Sequence, residues 1–444
     1  MRLVLSKRPP SKILQSAWTI VLVALFLRLF LLWLAHHHED PAHRRLETIG
    51  MESLMIARAL VLGNGFANPF PGYEATTAWL APVYPWLASI GVRLSNIDGY
   101  KSVLFCQGLN SIFSALTCWP IYDLGKRIFT AKTGRAAAWL WVFLPSAILM
   151  PLEWTWDQSL SALLVGCVLS ATFGLRRSSA YLPWAGYGIL WGAAALTNPS
   201  ICVLLPFLGL WLMLDRRKNT LAWKMPLATA AIVFLLVLLP WTLRNQTQLG
   251  KYFFVKSNFG LALWLGNNPE SKEIYSPNQY PAVNTRELQE LQALGEVGYM
   301  KLKQREAVNF IRANPGSFIS RCYYRFVDTW TGNYDSTLDP YIRKMQLRLP
   351  YIEYLTLFSA LAFAGLGIAL LTAPWDALPL AFCVVLFPIP YYLTTSELRY
   401  RHPIDPVLVI LALVCLERLG EIFLTLREVE PVEAKPNLGA QVPA

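Results

Sequence analysis

Charge is scarce in this sequence: Asp, Glu, Lys and Arg make up 15% of its 444 residues, while 55% are hydrophobic and the mean hydropathy is +0.37. A soluble domain of this length needs far more polar surface, so much of the apolar surface must face lipid. The seven cysteines contain no CxxC pair, which argues against a zinc ribbon or a disulfide framework and leaves them as small apolar packers. No internal repeat of the kind that marks many transporters is visible. Nor is there a concentrated basic stripe. The net charge of +11 is dispersed between apolar runs, a pattern that fits membrane topology and anionic lipid, with no nucleic-acid partner.

What is abundant is apolar length and aromatic side chains, 13% of the chain with 17 Trp, as membrane-interface belts require. A basic N-terminal stretch precedes an apolar run over 13–35, too long, and without a small-residue cleavage site, for a removed signal peptide. Further spans are expected at 103–124, 135–150, 158–175, 181–196, 201–214, 225–243, 351–371, 378–393 and 407–424, about ten in all. The apolar stretch 80–94 is short and interrupted by two prolines and Arg93. Counting it as a span would put Lys126, Arg127, Lys132 and Arg135 outside; as a helix lying on the membrane it leaves them inside with Arg176, Arg177, Arg216, Arg217, Lys218 and Lys224. Both termini then come out cytoplasmic.

The expected organisation is an N-terminal transmembrane module over 1–243 with a first outer loop at 36–102. A periplasmic subdomain follows at 244–350, then C-terminal helices at 351–424 and a tail at 425–444 expected to be disordered. Within the subdomain, Leu288, Leu291, Leu294, Val297 and Met300 recur every three residues and predict a helix over 285–314.

The polar candidates gather on the outer side. Glu47 and Glu52 follow the first span, and Glu52 begins a helical stretch ended by Gly63-Asn64-Gly65. A carboxylate there can take a proton from a hydroxyl nucleophile, or simply favour the helix N-terminus. His36, His37, His38 and His43, with Glu39 and Asp40, invite a metal reading, but consecutive histidines point in different directions and rarely converge on one ion. Glu153 and Asp157 are four apart, a spacing that one helical turn would bring together; a site role competes with helix capping. Arg244, the pair Arg321 and Arg325, and Arg399, Arg401 and His402 place positive charge where the positive-inside rule disfavours it. Guanidinium forks match phosphate oxygens, while pairing with Glu397, Asp328 or Asp405 is the structural alternative.

These motifs, together with APVYPWL, GILWGAAALTNPS, PWTLRNQ, SNFGLALWLGNNP and RYRHPIDP, resemble bacterial membrane glycosyltransferases of the GT-C superfamily related to dolichyl-phosphate-mannose protein mannosyltransferases, glycosyltransferase family 39. The likeness runs over about residues 14–424. It implies an all-α polytopic membrane protein, a GT-C-like bundle with juxtamembrane helices in the first outer loop and a small periplasmic subdomain. It also implies a polyprenyl-phosphate-linked sugar as donor, an acceptor that is a protein, lipid or glycan, and residence in the bacterial inner membrane. Glu52 or Glu47 would be the base, and Glu153 with Asp157 the second acidic site. Arg244, Arg399, Arg401 and His402 would hold the donor phosphate, and Trp264, Asn267 and Asn268 the sugar. The scheme requires no cofactor; a divalent cation, if one binds, would sit at Glu153 and Asp157. A transporter or flippase of lipid-linked sugar is the competing reading, against which the scarcity of charge within spans argues.

Overall fold

Each expected apolar run forms a helix because a backbone in lipid must satisfy its own hydrogen bonds. A computed structural model describes residues 16–37, 50–271, 277–332 and 348–429. Its α-helices are α1 Ala17–His37, α2 Met51–Val61, α3 Val83–Leu94, α4 Gly99–Leu116, α5 Cys118–Ile128, α6 Ala131–Phe143, α7 Pro145–Glu153, α8 Gln158–Leu175 and α9 Tyr181–Thr197. They continue as α10 Leu205–Lys218, α11 Lys224–Leu249, α12 Phe259–Gly266, α13 Thr285–Ala313, α14 Pro315–Thr331, α15 Arg348–Thr372, α16 Pro374–Val385, α17 Ile389–Leu393 and α18 Asp405–Val429. Among the described residues there is no strand beyond one isolated bridge, Ala67 to Thr76.

Six helical segments are long and apolar enough to cross a bilayer, and α6 with α7, bent by 46°, would make a seventh. The other three expected spans are helical with local complications. The run 103–124 breaks at Thr117 into α4 and α5. Helix α9 has only 17 residues, and α18 carries Glu417, Arg418 and Glu421 in its second half. The protein is an integral, multi-pass membrane protein. The 12 residues of α3 rise only ~18 Å, short of the ~30 Å hydrocarbon core. Helix α3 packs against α2, α4 and α9 and exposes Trp86, Ile90 and Leu94 on its other face.

One core runs through the bundle, from Ile20 and Ala24 of α1 through Trp141, Leu169 and Trp184 to Leu408 and Leu411 of α18. Arg28 of α1 is fully buried in it. Its guanidinium donates to Ser114 Oγ (2.9 Å) and to the carbonyls of Trp141 (3.2 Å), Val142 (3.5 Å) and Ala147 (3.2 Å). Those carbonyls lie at the break between α6 and α7, where Pro145 opens a new helix and a helix C-terminus leaves acceptors unpaired.

The expected helix 285–314 is present as α13, capped by Asn284, whose side chain accepts from the amides of Arg286 and Glu287. It is broken at Gly295, with φ 65° and ψ 167°, a conformation strained for any residue with a Cβ. The break changes the buried face. Leu291 and Met300 are buried as the spacing predicts, but Leu294 is exposed and Glu296 turns inward.

Candidate active site

At the outer end of the bundle, Glu52, Asp157, Lys256, Arg399 and Glu397 line one cleft of about 320 Å³, together with Trp79, Trp156, Gln158, Tyr280 and Tyr400. Local structure explains the convergence. Gly50, at φ 87°, caps α2, and a Cβ there would lie 2.0 Å from Thr155 Oγ1. The start of α2 can therefore press directly on the loop that carries Trp156 and Asp157. The helix ends as its sequence predicts, with the Asn64 amide donating to Ala59 O (2.9 Å) and Gly63 at φ 85°.

The Tyr280 hydroxyl donates to Glu52 Oε1 (2.8 Å) and accepts from the Trp79 indole N–H (2.7 Å). Asp157 stands immediately before α8 and accepts from Ser161 Oγ (2.9 Å). Lys256 is half-buried, and burial, helped by nearby Arg399, holds its amine below the usual lysine range against the opposing charges of Asp157 and Glu52. The Arg399 guanidinium lies 3.4 Å from the Trp156 ring centroid, and its Nη2 pairs with Glu397 Oε1 at 2.7 Å. The arrangement puts carboxylates able to take a proton beside two cations able to meet a phosphate, against aromatic walls.

Several expected site residues are placed elsewhere. Glu153 and Asp157 do not share a helical turn, because α7 ends at Glu153 and the chain is non-helical until α8 begins; only Asp157 lines the cleft. Arg244 donates to Thr77 O (2.6 Å) and Phe66 O (2.8 Å), tying the first outer loop to α11. Arg401 is buried and pairs with Asp405 (3.0 Å), and its Nη1 donates to Ser359 Oγ (3.1 Å). His402 is buried, stacked on Trp141 and bonded to the same Asp405 (3.1 Å). Neither faces the cleft, so the Asp405 pairing, the structural alternative, describes both.

The LWLGNNP motif is likewise a helix end and not a sugar shelf. Asn267 Nδ2 donates to Leu263 O and Leu393 O, and Asn268 Nδ2 to Trp264 O and Gln279, with both side chains buried. Trp264 is buried beneath Lys303, 4.1 Å from the ring centroid. Arg321 and Arg325 hold the C-terminal carbonyls of α12, Arg321 through Gly266 O (3.2 Å) and Asn268 O (3.0 Å) and Arg325 through Gly266 O. The opposite side of α12, through Leu261, Ala262 and Leu265, does line the cleft.

Glu47, His38, His43, Glu39 and Asp40 lie outside the described residues. His36 is held by Gln107 (2.8 Å) and Tyr100 (2.9 Å). Among the described residues no group of three or more His, Cys, Asp or Glu is placed to hold a metal ion. Sequence reasoning missed Lys256, Tyr280, Trp79 and Trp156. Lys256 carried a usable signal, since an outer-side cation just after a span is as anomalous as the arginines.

The family model for dolichyl-phosphate-mannose-protein mannosyltransferases matches residues 80–243. The Archaeoglobus fulgidus oligosaccharyltransferase, in complex with Zn and sulfate, matches with a TM-score of 0.54 at 14% identity, covering 94% of this chain and 51% of that one. The fold is that of the GT-C membrane glycosyltransferases. The same archaeal enzyme tethered to an acceptor peptide containing an NVT sequon matches the GT-C chain described here at 0.53, with 13% identity over 93% of this chain and 51% of that one. ArnT from Cupriavidus metallidurans in the apo state gives 0.49 at 15% identity over 93% of this chain and 64% of its own, too slight a likeness to bear on the site. This GT-C chain spans about half the length of the archaeal oligosaccharyltransferase. No curated protein matches its sequence.

Proposed function

We propose that this protein is a glycosyltransferase moving a sugar from a polyprenyl-phosphate carrier to a hydroxyl acceptor, with Glu52 as base and inversion at the anomeric carbon. The observation that carries the reading is the single cleft shared by Glu52, Asp157, Lys256 and Arg399 at the outer end of a GT-C bundle. The acceptor oxygen attacks the anomeric carbon as Glu52 takes its proton. The bond from that carbon to the phosphate oxygen breaks, and the polyprenyl phosphate leaves with the electron pair. Lys256 and Arg399 supply positive charge where the leaving phosphate gains negative charge. Asp157 hydrogen-bonds the sugar or acceptor hydroxyls, and Tyr280 fixes the lone-pair direction of Glu52.

The dispersion of charge supports the orientation. Helix α8 begins at the cleft and ends ~27 Å away beside Arg176 and Arg177. With that basic end in the cytoplasm, both termini are cytoplasmic, the cleft opens on the periplasmic side, and the bacterial inner membrane is the setting. The acceptor is a protein, a lipid or another glycan carrying a free hydroxyl.

The test uses purified protein with a polyprenyl-phosphate sugar and reads release of polyprenyl phosphate. Glu52-dependent release supports the assignment. Release unchanged in Glu52→Gln would remove Glu52 as base, and no release from any donor tested would remove the transferase reading.

A further inference from the structure

Glu296 has no place in the reaction above, yet it is a buried carboxylate, 3% exposed, directly after the break of α13. Its Oε1 accepts from the Ala78 amide (2.9 Å) and its Oε2 from the Thr77 hydroxyl. The same hydroxyl oxygen accepts from the Trp79 amide (2.9 Å). The carboxylate therefore fixes three consecutive residues of the first outer loop from a helix more than two hundred residues later in the chain. Burial pushes the Glu296 carboxyl above the usual range, opposed by the hydrogen bonds from Ser257, Thr77 and Ala78 and by the charge of Arg244.

From Trp79 the connection continues into the cleft. The Trp79 indole donates to Tyr280, and Tyr280 donates to Glu52. Phe70 packs edge-on against the Trp79 ring (5.1 Å between centroids), which limits its other movements. We infer that Glu296 is a positioning residue for Glu52, acting through Thr77–Ala78, Trp79 and Tyr280, so that the periplasmic helix α13 sets the aim of the base. The inference rests on the proposed role of Glu52. It explains why a carboxylate is turned inward at the one place where α13 is broken: only a side chain that accepts two bonds at once can hold both the Thr77 hydroxyl and the Ala78 amide.

Glutamine at 296 keeps the shape but offers one acceptor in place of two. We expect Glu296→Gln to lower kcat about 10-fold with the donor KM within about threefold, as expected when only transition-state alignment is lost. Tyr280→Phe should lower kcat about 30-fold, and the double variant should fall by about 50-fold rather than the product, because both act on one chain of contacts. Hydrogen exchange gives a readout independent of turnover. Amides of 76–80 and 277–282 should lose protection in Glu296→Gln, while those of α8 and α18 keep theirs. Fully additive kcat losses would overturn the inference, as would loosening of the whole of α13 with a lowered melting temperature. If the unaltered protein releases no polyprenyl phosphate, the transferase reading fails separately. The exchange data then decide alone, and unchanged protection at 277–282 overturns the positioning chain.

Discussion

The two ends of the bundle use the same residue types to opposite effect. At the basic end, Arg176 pairs with Asp215 (2.7 Å) and Asp376 (2.9 Å), and Trp375 donates to Asp215 (2.9 Å). Arg216 donates to the carbonyls of Leu175, Arg176, Ser178 and Ala222. Every one of these groups is engaged within the protein, across the ends of α8, α10 and α16. At the outer end, Glu52, Asp157, Lys256 and Arg399 come from four separate segments but all border one cavity. The first arrangement closes helices together; the second presents charge to something that enters. Charge density alone does not distinguish a site from a strut, whereas a shared cavity does.

The sharpest way to break this contrast is Glu52→Gln, which should reduce polyprenyl phosphate release by about a thousandfold, within the range general-base removal gives, while leaving the melting temperature unchanged. Arg401→Ala comes next. By motif it would weaken donor binding more than stability; its buried pairing with Asp405 predicts the reverse, a loss of about 3–5 kcal/mol read by thermal unfolding, since a buried carboxylate is left uncompensated. Lys256→Met should raise the donor KM by about 30- to 100-fold with little change in fold, in keeping with loss of one charge-assisted contact to phosphate. Because burial lowers the Lys256 pKa, its charge is lost as pH rises through a value below that of an ordinary lysine. Donor affinity should therefore fall on the alkaline side, and that fall should vanish in Lys256→Met. The smallest effect belongs to the closed end. Asp376→Asn removes one partner of a part-exposed pair and should cost below about 1 kcal/mol with no change in donor KM.

The membrane architecture was legible because apolar length is a property of contiguous residues: α8 occupies 158–175 as its hydropathy indicates. Charge parity likewise rejected 80–94 as a span, and α3 is a short helix there. The site was legible only in part. Glu52, Asp157 and Arg399 were accessible to motif and topology, but their union depends on Gly50 meeting Thr155, a contact between distant segments with no local signature. Arg244, Arg401, His402, Trp264, Asn267 and Asn268 belong to the motifs that carried the resemblance, and the structure gives them architectural contacts. A motif marks positions a fold needs, and packing needs arginine and asparagine as much as chemistry does. Leu294 and Glu296 exchanged their expected faces because the break at Gly295 resets the helical phase, which a spacing rule assumes constant.

Arg28 has a consequence for how the protein is made. An arginine near the middle of a membrane helix carries a penalty of about 2.5–3.5 kcal/mol on insertion scales, and its partners, Ser114, Trp141, Val142 and Ala147, all lie more than eighty residues downstream. While the chain is being synthesised, α1 enters the membrane before any of them exists. Its guanidinium must therefore reach toward water or headgroups until α4, α6 and α7 arrive, and only then can the first helix settle. The bend between α6 and α7 thus acts as the lock into which the earliest helix turns last.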